Sequence, residues 1–115
     1  AGPEKLAGWA VGTYGRIIKT MDGGLTWAEQ ASGTEERLTR IAAFDELRAA
    51  AVGERGVVLI TTDGGEKWTS AAPCGSADMN GVAMIGESSV VAVGNGGCVA
   101  RSSDAGVTWT RVEVF

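Results

Sequence analysis

Short apolar runs, each closed by glycine, recur along the chain and predict its elements. Arg48-Ala49-Ala50-Ala51-Val52 is an apolar run ended by Gly53, and Val57-Val58-Leu59-Ile60-Thr61 is a second, β-branched one. Runs this short and this rich in branched side chains fit strands with at least one buried face. Between them, Gly53-Glu54-Arg55-Gly56 has the composition of a tight hairpin turn, since glycine takes positive φ without steric cost. Asp63-Gly64-Gly65 reads as another hairpin turn, and Lys67-Trp68-Thr69-Ser70 as the strand that leaves it. Upstream, Leu38-Thr39-Arg40-Ile41-Ala42-Ala43-Phe44 supplies one more strand.

The pattern returns every 41 residues: Asp22, Asp63 and Asp104 keep this step, as do Trp27, Trp68, Trp109 and Val11, Val52, Val93. Aligning 9–27, 50–68 and 91–109 leaves seven columns identical in all three copies, so the unit is duplicated throughout and not at one motif alone. The shared text is A-V-G-x-x-G, an apolar stretch, then [ST]-x-D-x-G-x-x-W. Four strands in about forty residues is the signature of a propeller blade. From inner to outer the strands are a, b, c and d. Copy two places them at 38–44, 48–53, 56–61 and 67–72; copy three at 79–85, 89–94, 97–102 and 108–114. Copy one has b at 8–12, c at 16–20 and d at 26–31, and its a strand would precede Pro3. The expected fold is all-β: a propeller arc over 1–115, with a partial blade at 1–33 and full blades at 34–74 and 75–115. Residues 1–7 are the candidates to replace the missing inner strand irregularly.

Thr20-Met21-Asp22-Gly23-Gly24-Leu25-Thr26-Trp27, Thr61-Thr62-Asp63-Gly64-Gly65-Glu66-Lys67-Trp68 and Ser102-Ser103-Asp104-Ala105-Gly106-Val107-Thr108-Trp109 resemble the Asp-box, or BNR repeat. With the preceding A-V-G-x-x-G and the upstream L-x-x-[IV]-x-x-[FI], the chain is similar to the photosystem II assembly and stability factor family and its bacterial relatives. That resemblance implies a non-catalytic, assembly-factor-like scaffold for protein partners, in an extracytoplasmic (periplasmic, lumenal or secreted) setting. Each part of the box also has a structural task of its own. The Asp accepts N–H groups of its own turn, and the Ser or Thr two residues earlier adds a hydroxyl bond. The glycine of Gly24, Gly65 and Gly106 supplies positive φ, and the Trp is an apolar plate for its own blade or the next.

A propeller removes its sheet edges by closing a ring, usually of four to eight blades. Three blades leave two apolar ends. Self-association into a six-bladed homodimer would cover them, and so would further blades in a longer chain.

Composition narrows the chemistry. With 18 glycines, two prolines and no histidine, the chain lacks the commonest general base and metal ligand. A net charge of −4 opposes binding to a nucleic-acid backbone. No apolar run approaches a membrane-spanning length. The N-terminus, Ala1-Gly2-Pro3, carries neither Met nor a signal-peptide core, so removal of a leader is left open. No cofactor is expected, and two cysteines without histidine argue against a metal site.

The candidate partner-binding residues are Arg16, Arg37, Arg40, Arg55 and Arg101, because arginine favours bidentate and stacked contacts at interfaces. Scattered solvated charge, balanced by Glu35, Glu36, Asp45, Glu46 and Glu54, is the simpler account of them. Propeller geometry would put a site at the central channel or on the face bearing the a–b and c–d loops. Cys74, in a d–a connection, and Cys98, after a b–c turn, fall on one face of a blade, so a disulfide and a pair of small thiols are both open. Trp9 departs from the column of Ala50 and Val91, and either caps an interface or fills the place of the absent strand. The rival readings are a carbohydrate-binding or sialidase-like glycoside hydrolase fragment, and a natural or engineered piece with no function of its own. The enzyme reading is weak: Tyr14, the only tyrosine, lies in a b–c turn, and the long loops of glycosidase clefts are missing.

Overall fold

The computed structural model describes residues 7–112. Blade 1 contains β1 (Gly8–Val11), β2 (Ile17–Thr20) and β3 (Ala28–Gln30). Blade 2 contains β4 (Leu38–Ala43), β5 (Ala49–Gly53), β6 (Val58–Thr61) and β7 (Thr69–Ala71). Blade 3 contains β8 (Met79–Met84), β9 (Val90–Gly94), β10 (Cys98–Ser102) and β11 (Thr110–Val112). Each blade is one antiparallel sheet with its strands paired in chain order. This is the all-β Asp-box arc expected from the repeat, and the described residues do not close a ring. The predicted replacement of the missing inner strand by residues 1–7 falls, Ala7 excepted, outside the described residues.

The inner strand β4 lies against β8, the inner strand of blade 3, and against β1, the b strand of blade 1. Both full inner strands carry the same irregularity, a register shift at Leu38/Arg40 and again 41 residues later at Met79/Gly81. A bulge there increases twist and turns one side chain out of the ladder.

The b–c turns differ from the simple glycine hairpin expected of Gly53-Glu54-Arg55-Gly56. Each is a short 3-10 turn with two successive positive φ values, and the first falls on a non-glycine in two copies. Tyr14 has φ 57° and Arg55 φ 59°, where blade 3 has Gly96. The second falls on Gly15, Gly56 or Gly97. In blades 1 and 2 glycine is required there for a further reason. A Cβ on Gly15 would strike the Thr34 carbonyl, and one on Gly56 the Gly75 carbonyl. The d–a connections thus press directly on the b–c turns.

Two apolar cores lie between blades. One joins Ile17, with Trp9 and Val11 at its margin, to Ala49, Ala51, Leu59 and Trp68. The other joins Ala50, Val52, Val58 and Ile60 to Val90, Ala92, Ala100, Cys74 and Cys98. Blade 2 is covered on both sides, so β5 and β6 are buried along their whole length. In blade 3 burial alternates with the pleat: Val90, Ala92 and Ala100 are buried, while Val93 is 39 % exposed. Continuous apolar runs therefore mark strands packed on two faces, and the sequence carries such a run into blade 3 as well.

Candidate functional site

The Asp-box hairpins are closed systems of hydrogen bonds. In blade 1 the Thr20 hydroxyl donates to Asp22 Oδ1 at 2.7 Å and accepts the Gly24 N–H at 2.9 Å. Asp22 Oδ1 accepts the Thr26 N–H at 2.9 Å, and Oδ2 accepts the Thr26 hydroxyl at 2.6 Å. Blade 3 repeats this with Ser102, Asp104, Gly106 and Thr108. Blade 2 keeps Thr61, Asp63 and Gly65 but has Lys67 in the Thr26 column, so Asp63 receives only a backbone N–H there, at 3.1 Å. The hydroxyl bonds from Thr26 and Thr108, then the N–H groups of the same residues, then the Thr20 and Ser102 hydroxyls, hold Asp22 and Asp104 at a pKa of about 2. Asp63 is also lowered, chiefly by the Thr61 hydroxyl. Such carboxylates are fixed acceptors, unsuited to proton transfer at neutral pH. The Thr26 and Thr108 hydroxyls are missed by a reading that stops at the residue two before the Asp. Their identity in two of three copies was the available signal.

The glycines and tryptophans of the second and third boxes act between blades. Gly24, Gly65 and Gly106 have φ of 97°, 93° and 86°. A Cβ on Gly65 would collide with the Gln30 side chain, and one on Gly106 with Ile60, each from the preceding blade. Trp68 also meets the preceding blade: it packs edge-on to Trp9 at 5.5 Å, and its Nε1 donates to Gln30 Oε1 at 3.2 Å. Trp9 thus belongs to a blade junction. Trp109 lies against the second core with its Nε1 buried and unpaired, and the Gln30 column there holds Ala71.

Three of the five candidate arginines, Arg16, Arg37 and Arg55, lie at the end of the blades that carries the b–c turns and d–a connections. Arg16 and Arg55 border b–c turns, and Arg37 ends a d–a connection. These features share a face, as the bonds from the Glu54 N–H to the Arg37 carbonyl and from the Arg55 N–H to Asp78 Oδ1 require. The reason is topological: antiparallel pairing in chain order puts b–c turns and d–a connections at one end of every blade. Arg16 lies 3.8 Å from Glu29, Arg37 3.7 Å from Glu54 and Arg55 3.6 Å from Glu36, all between exposed side chains. Exposed pairs at such distances contribute little and exchange readily. Arg40 donates to the Thr39 carbonyl at 2.9 Å. Arg37 and Arg40 line a recess of about 530 Å³ whose walls include Thr13 from blade 1 and Asp78 and Asn80 from blade 3. Arg101 stands apart, exposed on the far side of blade 3. On the arginine face Tyr14 is 84 % exposed, and Asn80 donates to Asn95 Oδ1 at 2.7 Å.

Cys74 and Cys98 form a disulfide across a sequence separation of 24, tying the blade 2–3 connection to β10. Among the described residues no three His, Cys, Asp or Glu side chains gather as metal ligands, and no helix is long and apolar enough to cross a membrane.

The profile of the family described as "Photosynthesis system II assembly factor YCF48" matches residues 3–114. The solved structure of "YCF48 bound to D1 peptide" is 26 % identical, with a TM-score of 0.79 over 94 % of this chain and 37 % of that one. YCF48 from Cyanidioschyzon merolae is 28 % identical, with a TM-score of 0.77 over 92 % of this chain and 33 % of that one. The chain therefore spans about a third of the length of these solved relatives. No curated protein matches it.

Proposed function

The chain belongs to the family of the photosynthesis system II assembly factor YCF48, a family of non-catalytic propellers, and from that premise we propose that it is a scaffold holding a peptide segment of a protein partner across its arginine face. The recess walled by Arg37 and Arg40 carries this reading. Guanidinium groups bind carboxylates and backbone carbonyls in a fixed fork geometry. The Glu54 pairing of Arg37 is long and exposed, so a partner's carboxylate displaces it at small cost. Arg55 and Tyr14 are held at positive φ on the same face with their side chains exposed, and backbone strain of this kind concentrates at functional sites. One solved relative is bound to a D1 peptide, which supports a peptide as the partner class here.

The test is a fluorescence-anisotropy titration of labelled D1 peptide with the chain and with an Arg37→Glu/Arg40→Glu variant. Saturable binding, weakened at least about tenfold by the double reversal, is expected for two charge-assisted contacts. No binding by the unaltered chain would sink the proposal, and binding indifferent to the reversal would remove the recess as its site.

Two associated readings complete the proposal. The arc closes as a homodimer into a six-bladed ring, which the apolar blade ends support. The chain works in an extracytoplasmic compartment, which the Cys74–Cys98 disulfide supports, because such bonds persist where the surroundings are oxidising.

A further inference from the structure

We propose that Asn95 is a modification site, where the backbone nitrogen of Gly96 converts the side-chain amide to a carboxylate, and that Asn80 is its positioning residue. The chain has two asparagines, Asn80 and Asn95, and glycine follows each. An asparagine before glycine is open to this reaction. Glycine has no Cβ to screen its amide nitrogen, and it leaves the backbone free to carry that nitrogen onto the side-chain carbonyl carbon. The two dipeptides are identical in sequence, and the structure separates them.

Asn80 lies within β8, at the register shift between Met79 and Gly81, and Gly81 is paired with Val93 on β9. Carrying the Gly81 nitrogen onto the Asn80 amide would pull Gly81 out of that ladder. Asn95 instead opens a b–c turn in which Asn95, Gly96 and Gly97 are all exposed. The exposure belongs to the column and not to where the sequence stops. Thr13 and Glu54 hold the same column with a blade following them, and Thr13 is exposed while Glu54 keeps 44 % of its side chain in solvent. Gly96 takes φ 78°, yet Tyr14 and Arg55 take positive φ in the same column. The turn therefore forms without glycine there, and what blade 3 gains from Gly96 is an unscreened nitrogen.

The amide is also set for attack. Asn80 Nδ2 donates to Asn95 Oδ1 at 2.7 Å. That bond draws electrons from Asn95 Cγ and stabilises the negative charge that develops on Oδ1 as the nucleophile adds. The Asn95 N–H donates to the Asp78 carbonyl at 2.9 Å, which holds the residue in place. The only co-reactant is water. The Gly96 nitrogen loses its proton and bonds to Asn95 Cγ, the Cγ–Nδ2 bond breaks, and the departing amide takes up a proton and leaves as ammonia. Water then opens the cyclic imide at either carbonyl, giving aspartate or isoaspartate. Both carry a negative charge where the amide had none. Asn80 lines the recess between the blades, so the new charge forms one hydrogen bond from its wall.

The experiment is incubation at mildly alkaline pH, followed by peptide mass mapping and enzymatic methylation of isoaspartate. It compares the folded chain with the chain unfolded in guanidinium, and with folded Asn80→Ala, Asn80→Gln and Gly96→Ala. Unfolded, the two asparagines should react alike. Folded, conversion should favour Asn95 by at least about tenfold, because Asn80 must wait for its ladder to open. Asn80→Ala should slow conversion at Asn95 about fivefold, the net worth of one hydrogen bond expressed as a rate. Asn80→Gln keeps the donor and should restore part of the rate, with circular dichroism unchanged in both. Gly96→Ala, in a column that accepts Tyr14 and Arg55, should slow conversion at least as much by restoring the Cβ. Equal conversion of both asparagines in the folded chain overturns the proposal, and so does an Asn95 that stays intact while the unfolded chain reacts. Conversion at Asn95 that is unchanged or faster in Asn80→Ala overturns the role of Asn80 and leaves the site standing.

Discussion

Breaking the Cys74–Cys98 bond tests how the third blade is held. The bond closes a loop with a sequence separation of 24, containing β8 and β9. In the chain-entropy account a loop of that size stabilises the fold by about 3.5 kcal/mol at 25 °C, by restricting the unfolded chain. For a domain of this length about 1 kcal/mol moves the melting temperature by about 4 °C, so full reduction should lower it by about 14 °C. Both cysteines are buried, at 6 % and 8 % exposure, so the reductant must act through an unfolding and refolding cycle. Reduced protein is the sound comparison, because its two thiols still fill the second core. A Cys74→Ala/Cys98→Ala variant adds the loss of both sulfurs and should melt lower still. The assay is thermal and urea unfolding followed by circular dichroism. The urea slope should be smaller for the oxidised form, whose unfolded state exposes less surface. Oxidised and reduced forms melting within about 3 °C of each other would refute the chain-entropy account, since the loop would then be restraining nothing.

Acid should unfold the protein through its boxes. Asp22 and Asp104 are held at about 2 against an ordinary 3.8, so below about pH 4 the unfolded chain binds protons that the folded chain does not. The stability they contribute is complete above that pH and is lost as pH falls toward 2. Melting temperatures measured from pH 5 to pH 2 should decline over this window, and less steeply in a Thr26→Val/Thr108→Val variant; a flat profile would contradict the hydrogen-bond account. At the first junction, Gln30→Ala leaves Trp68 Nε1 without its partner in a residue only 8 % exposed. A loss of about 1–3 kcal/mol in urea unfolding is expected, and a loss under about 0.5 kcal/mol would mean the indole N–H finds water.

How much could be read from the sequence depended on the range of each interaction. The Asp–Ser/Thr–Gly chemistry of the box acts within five residues, and it was legible because every partner lies in the same line of text. The fate of the box tryptophan was not. Trp27, Trp68 and Trp109 share one motif, yet the first is half exposed, the second meets Trp9 and Gln30, and the third keeps a buried, unpaired N–H. Those differences come from the preceding blade, where residues about forty positions upstream change from Gln30 to Ala71 and from Lys19 to Ile60. The grouping of Arg16, Arg37 and Arg55 was hard to read for a related reason. Charge spacing along a chain says nothing about which end of a blade a turn occupies; the strand order does, and the same order that brought Cys74 and Cys98 to one face brings Arg16, Arg37 and Arg55 there.

The proposed partner site at the recess depends on the blade junctions. Its walls come from Gly12 and Thr13 in blade 1, Arg37 to Arg40 in blade 2 and Asp78 to Asn80 in blade 3, so no single blade contains it. Lys19 and Gln30 fix the first wall against the second, and the disulfide pins the connection that leads into the third. On the proposed reading such a scaffold needs its inner strands in register more than it needs any one arginine, because the recess loses its shape when the strands that wall it slide. The repeat serves that requirement directly. One junction, copied with small changes, sets the spacing of β1, β4 and β8, and leaves the other columns of the turns above them free to vary.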